Sequence, residues 1–289
     1  MTMKKTCLAA ISLLLILSPI GYVTAETPTV IEQTETEESS NFAPLLKAIS
    51  KMVKSDRYAI ESTLQMHGKS LGMEAYSNAK IETTIASPNR FRSKITFTRP
   101  SLEEGLEGLQ YEAISDGSRV LIHDLHNKEY SVVSYQKFLD VNETFMLGML
   151  SSFYLSIQSE DINSDLEALL NQNYSEAEAQ NLLKALLTRA LDSDVDNIEV
   201  RNETIDKIDY LSYRVKGSQD DRSLNILLEP QTPEVHSLIV SGKEDGSDFI
   251  LKEKLIRQEQ PEDISDLTFG FVPPRDSTKS AATIRIEPF

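Results

Sequence analysis

The sequence predicts an α+β domain in which one extensive antiparallel sheet curves around a few helices. Three observations carry that reading: helical spacing of apolar residues just after Asn41, period-two alternation through Tyr58 to Phe97, and a return to strand patterns from Ile198 after a helical middle. Strand side chains alternate between two faces, so one apolar and one wet set mark a half-buried antiparallel sheet. Spacing near 3.6 residues marks a helix packed on one side.

The elements follow in order. "MTMKK", an apolar run broken by Pro19 and Gly21, and "VTA" ending at Ala25 have the layout of a secretory signal over residues 1–25, cleaved after Ala25. Cys7 precedes the apolar run, so it is not a lipidation site, and no cysteine remains once the signal is removed. Export without cysteines fits a bacterial periplasm, with no stable membrane anchor left. The Asn-x-Ser/Thr matches at Asn142, Asn173 and Asn202 are then accidental. Residues 26–40, "ETPTVIEQTETEESS", are acidic and poor in large apolar side chains, which predicts a disordered leader. Residues 41–289 are read as one domain with a helical insert at about 142–191.

Asn41 is placed to cap a first helix whose Phe42, Leu45, Leu46, Ile49, Met52 and Val53 share a face. Period two then takes over. Tyr58, Ile60, Leu64 and Met66 face one way, followed by Met73, Ala75, Ala79, Ile81 and Ile85, then Phe91, Ile95 and Phe97. Pro88 marks a corner, and Asp116-Gly117 a hairpin turn. About seven strands are expected before the insert. In the insert Phe145, Met149, Phe153 and Ile157 share a face, and "SEAE" at Ser175–Glu178 is a capping box ahead of Leu182, Leu183, Leu186, Leu187 and Leu191. Strands return around Leu211, Leu224–Leu228, Val235–Val240 and Phe249–Ile256, with a turn at Gly242–Gly246 and a closing strand in "LTFGFVPPRDS".

Charge excludes several functions. Removal of Lys4 and Lys5 leaves 27 basic against 45 acidic residues, a net of −18. Such a surface repels phosphate backbones and anionic headgroups, so nucleic acid is not a partner. In "RVLIHDLHNKEYSVV", His123 and His126 resemble a chelating pair, but the flanking β-branched residues predict a hairpin. Successive strand residues face opposite sides, which separates the two rings. A calcium loop is the other metal candidate, with Asp192, Asp194, Asp196 and Glu203 at its first, third, fifth and twelfth positions. Two features count against it: Asn197 replaces the turn glycine, and the following residues read as strand rather than a second helix. No nucleophile elbow, P-loop or dinucleotide fingerprint occurs, so neither a catalytic residue nor a cofactor is assigned. The apolar sheet and helix faces can enclose a cavity, and they can equally pack against each other as plain core.

Several segments, in order, resemble the periplasmic outer-membrane lipoprotein carrier and receptor family: "KIETTIASPNRFR", "YEAISDGSRVLIHDLHNKEYSVV", "SLIVSGKEDGSDFILKEKL" and "DLTFGFVPP". The resemblance implies an incomplete antiparallel barrel with helices covering its open side and a cavity for lipoprotein acyl chains. It makes Tyr58, Ile60, Leu64, Met66, Ile81, Ile85, Phe91, Ile95 and Phe97 the cavity lining and Leu182, Leu183 and Leu186 part of the lid. Ser87 stands where the carrier has an arginine before the corner proline, and the chain has no tryptophan, two departures from the carrier pattern. The function expected is a periplasmic binding or carrier protein for lipid or lipoprotein acyl chains, with an envelope protein as a further partner. The alternatives are a sensor or scaffold without stored ligand, and a hydrolase with an unrecognised site.

Overall fold

The computed structural model describes residues 41–70, 73–98, 108–142, 144–157, 175–191, 194–217, 222–229, 231–232, 234–244 and 247–287. Residues 1–40, where the sequence predicts a signal and an acidic leader, lie outside the described residues. The first element is helix α1 (Ala43–Val53), which has a proline in its first turn, a position where the missing N–H is no loss. The Asn41 side chain accepts a hydrogen bond from Ala43 N at 3.3 Å, so it serves the helix start from one residue before the N-cap Phe42.

Six strands follow: β1 (Arg57–Ser70), β2 (Met73–Ala86), β3 (Arg90–Thr98), β4 (Gln110–Asp116), β5 (Arg119–Asp124) and β6 (Glu129–Ser134). Each pairs antiparallel with the next. Helices α2 (Tyr135–Val141), a 3-10 turn (Thr144–Leu147), α3 (Met149–Ile157) and α4 (Glu176–Leu191) come next. Strands β7 (Val195–Ile205), β8 (Ile208–Gly217), β9 (Ser223–Leu228), β10 (Val235–Glu244) and β11 (Ser247–Glu259) then pair in sequence, and β11 closes against β1. The result is one open sheet with order β12-β6-β5-β4-β3-β2-β1-β11-β10-β9-β8-β7, where β12 is the short Thr278–Lys279 strand. This is the α+β arrangement expected: a long antiparallel sheet, not closed into a barrel, with helices against one face.

Four details differ from the sequence reading. Six strands, not seven, precede the helices. The helical part begins at Tyr135 rather than near 142, because Ser134 caps α2 by accepting from Lys137 N. Gly242 lies inside β10, which runs on to Glu244, so the strand is longer than its glycine suggests. "LTFGFVPPRDS" forms a 3-10 turn (Asp266–Thr268) and irregular chain instead of a closing strand. There Arg90 lies over the Phe269 ring and Arg119 over the Phe271 ring, with centroids 5.4 and 5.2 Å away, so the aromatics grip the ends of β3 and β5 rather than a sheet face. The chain then returns along β6. Ser131 Oγ accepts from Ile284 N and Asn142 Oδ1 accepts from Ile286 N, which covers the sheet edge and accounts for Asn142.

The core lies between the inner sheet face and the helices. Residues from α1, α2, α3, α4 and every strand from β1 to β11 except β6 and β9's outer positions join one apolar cluster, and α1, α3 and α4 touch one another over it. One cluster spanning so many strands requires the sheet to wrap around its contents.

Candidate functional site

The nine residues expected to line the interior are brought together. Tyr58, Ile60, Leu64 and Met66 of β1, Ile81 and Ile85 of β2, and Phe91, Ile95 and Phe97 of β3 are all buried in the one cluster. Their cross-strand partners match the alternation, with Ile81 opposite Ile95 and Ile85 opposite Phe91. Leu182, Leu183 and Leu186 of α4 are buried in the same cluster, and the Ser175–Glu178 capping box starts their helix, with Ser175 N donating to Glu178 Oε2 at 2.8 Å. Leu64, Ile85, Phe91 and Ile95 are 0% exposed, so in this conformation no solvent-sized space touches them.

The metal candidates separate. His123 is on β5 and its Nε2 pairs with Ser277 Oγ at 2.8 Å, while His126 sits in the β5–β6 turn with its backbone N–H on Asp124 Oδ1. Asp192 lies outside the described residues. Asp196 and Glu203 both lie on β7, and seven residues of strand at 3.3 Å each put them roughly 23 Å apart. One ion cannot reach both. Among the described residues no group of three His, Cys, Asp or Glu is placed to hold a metal.

Sequence reasoning missed a polar track across the inner face, under the segment from the 3-10 turn to α3. Thr83 and Ser93 on neighbouring strands are 2.8 Å apart, and Thr83 Oγ1 donates to the Leu147 carbonyl at 2.9 Å. Ser62 Oγ donates to Glu253 Oε1 at 2.6 Å, and Leu150 N donates to Glu253 Oε2 at 2.8 Å. The track therefore holds both sides of the turn at Gly148. The register of the β1–β11 pairing shifts between Glu61 and Ser62, leaving Ile256 of β11 as the extra residue, and this shift sets which β1 residues stand beside Glu253.

Glu253 is the unusual member. It is 0% exposed, on the inward register of β11 with Phe249, Leu251 and Leu255, and faces Leu64 and Leu238 on the adjoining strands. Burial pushes its carboxyl above the ordinary carboxylate range, against the opposing pull of the Ser62 hydroxyl and the Leu150 and Met149 N–H groups. No charged side chain contributes to that balance among the described residues. The donors at the start of α3 are the positive end of a helix, which suits a carboxylate. Gly148, at φ +96°, makes the fit possible: a Cβ there would lie 2.7 Å from Glu253 Oε1 and 3.3 Å from Ser151 Oγ. Ser151 Oγ is itself buried without a hydrogen-bond partner. The sequence held one signal for this site, since Glu253 falls on the parity of Phe249, Leu251 and Leu255.

The tyrosines complete the seating of the helices. Tyr154 of α3 packs on Tyr58 at 5.4 Å between centroids and donates to the Ser55 carbonyl. Tyr213 of β8 donates to the Asn41 carbonyl at 2.9 Å. Burial raises all three phenols, Tyr58 to about 12. They are neutral hydrogen bonders, not acids or nucleophiles at ordinary pH.

No family model and no curated protein matches the chain. Solved structures similar to it include LprF from Mycobacterium bovis, with 10% identity, coverage of 84% of this chain and 100% of that one, and a TM-score of 0.37. A LolA superfamily protein from Nitrosomonas europaea shows 12% identity, coverage of 79% and 96%, and a TM-score of 0.28. An outer membrane lipoprotein-sorting protein domain from Vibrio parahaemolyticus shows 8% identity, coverage of 79% and 97%, and a TM-score of 0.31. The superfamily suggested by the sequence is thus among the similar structures. At these scores the reading of the site rests on the chain's own geometry.

Proposed function

We propose that the chain is an exported, periplasmic binding protein that takes a lipid or the acyl chains of a lipoprotein between its sheet and its helices, and that it acts by binding rather than by catalysis. One observation carries the reading: the apolar inner face of an open sheet is covered by short, separate helices instead of a second sheet. A second sheet would have to shear away as a unit. A short helix leaves alone, and an apolar tail then replaces the surface it covered. Each buried methylene contributes about 0.8 kcal/mol, so a chain of about 16 carbons gains up to ~12 kcal/mol before association and helix displacement are subtracted.

The burial of Leu64, Ile85, Phe91 and Ile95 favours a second reading, a sensor or scaffold whose interior is filled by its own side chains and which acts through an envelope protein. Titration of the exported chain with the apolar fluorophore N-phenyl-1-naphthylamine, followed by palmitate or a diacylglycerol as competitor, separates the two. Saturable one-to-one binding displaced by the acyl compounds is expected. A chain that binds none of them under any buffer condition is not a carrier, and the second reading stands.

A further inference from the structure

The interior carries a polar feature that a receptacle for tails alone does not need. A carboxylate with no solvent contact is costly in an apolar wall unless donors satisfy it. Here the donors are neutral: the Ser62 hydroxyl and the backbone N–H groups of Leu150 and Met149. Beside it, Ser151 Oγ lacks a partner, and Thr83 and Ser93 extend the track to the Leu147 carbonyl. The turn from Leu147 to Leu150 therefore occupies a seat built from sheet side chains, with hydroxyls from three strands (Ser62, Thr83 and Ser93) and the acid from a fourth.

Resting on the binding reading above, we propose that this seat is the head-group site of the interior, and that Glu253 with Ser62 receives the hydroxyl- or amine-bearing head of an apolar-tailed ligand when α3 moves aside. In the closed form the N-terminus of α3 stands in for that head. The chemistry follows from what the track lacks and offers. Once α3 leaves, the carboxylate loses its two backbone donors and keeps Ser62, so an incoming head must bring O–H or N–H groups. A head carrying its own carboxylate would set a second acid beside Glu253 with no cation between them, so each would disfavour ionisation of the other. Thr83 and Ser93 provide further hydroxyls, which suits a head that both donates and accepts. The flanking residues, Leu64, Leu238, Leu251 and Leu255, give the tail its surface. The class is a neutral or cationic amphiphile, such as a monoacylglycerol or a long-chain amine, in preference to a free fatty acid.

The test compares 1-dodecanol, dodecyl methyl ether and dodecanoate as displacers of N-phenyl-1-naphthylamine from the full exported chain and its Glu253→Leu and Glu253→Gln variants. The alcohol and the ether are both uncharged, so the acidic surface treats them alike, and they differ in one donor. Wild type is expected to prefer the alcohol to the ether by about tenfold, the scale of a hydrogen bond to a charged group, and to take dodecanoate more weakly than the alcohol. Glu253→Leu is expected to bring the alcohol and ether within about twofold of each other, with Glu253→Gln between. Should Glu253→Leu fail to fold, the wild-type ratio and the Gln variant decide. Alcohol and ether binding equally to wild type overturns the head-group site and leaves the binding reading intact. Failure of the fluorophore and every dodecyl compound to bind removes the binding reading and this site with it.

Discussion

Two helices cover the same core in different ways. α1 lies down with an apolar stripe of Phe42, Leu45, Leu46, Ile49 and Met52, all buried, and its polar attachments seat no buried charge: Asn41 at its start, the Tyr213 hydroxyl on the Asn41 carbonyl, Gln260 on the Lys51 carbonyl, and a solvent-exposed ion pair of Lys51 with Glu234. α3 also buries apolar residues, Leu150, Tyr154 and Leu155, but its N-terminus is seated on a buried acid. Lifting α1 only loses contacts. Lifting α3 loses contacts and also returns a carboxylate to water, which offsets part of the loss. The difference makes α1 a fixed wall and α3 the part suited to move.

The largest expected effect tests the wall. Leu45→Ala removes a fully buried side chain from the α1 stripe and should cost about 2–5 kcal/mol in urea denaturation. A loss under 1 kcal/mol would mean that α1, too, sits loosely, and the contrast between the helices would vanish.

The pH dependence sharpens the comparison at α3. The folded pKa of Glu253 lies above its unfolded value, so its contribution favours the folded state below the ordinary carboxylate pKa and is lost as pH rises through the folded value. Glu253→Gln should therefore remove a decline in stability that wild type shows on going from about pH 4.5 toward neutrality. Asp116 works in the opposite sense. Burial alone would raise its carboxyl, but hydrogen bonds from the backbone and side chains of Ser118 and Arg119 hold it at about 2. Its stabilisation is present above its unfolded value and is lost as pH falls toward 2, so Asp116→Asn should flatten the acid limb instead. Thermal melts of both variants across pH 2 to 7 check the two signs. Identical profiles for Glu253→Gln and wild type would show that the buried acid imposes no charge cost.

Smaller effects mark the attachments. Tyr213→Phe deletes the hydroxyl on the Asn41 carbonyl and should cost about 1 kcal/mol in denaturant unfolding, with the α1 amides exchanging faster. Ser175→Ala, which breaks the capping box of α4, should cost about 0.5–1 kcal/mol, read by the same unfolding curve, because that helix start is exposed.

The sheet was legible because its physics is local. Tyr58, Ile60, Leu64 and Met66 declare their shared face by spacing alone, and Ser175–Glu178 declares a helix start by side-chain chemistry alone. "LTFGFVPPRDS" misled because β-forming aromatics fit a strand and a cation-held loop equally well. What holds Phe269 and Phe271 is a pair of arginines more than 140 residues earlier, beyond any window of local pattern. Gly242 misled for a related reason: a glycine weakens a strand, but pairing with Phe249 on β11 keeps it extended. The polar track was hidden more deeply. Glu253 lies in "LKEKL" among alternating charges, and only the parity of Phe249, Leu251 and Leu255 places it inside. That Ser62 and the start of α3 would meet it there depends on a strand irregularity and a turn nearly 90 residues apart in the chain.

On the head-group proposal, an apolar ligand enters by displacing α3 from the sheet. Amide hydrogen exchange on the chain from residue 26 onward, with and without saturating 1-dodecanol, tests it directly. Binding should deprotect residues 149–157 while the amides of α1 and of β1 to β3 keep their protection. Protection of residues 149–157 that stays unchanged or rises when the alcohol binds, or loss of protection spread evenly over α1 and α3, would contradict it.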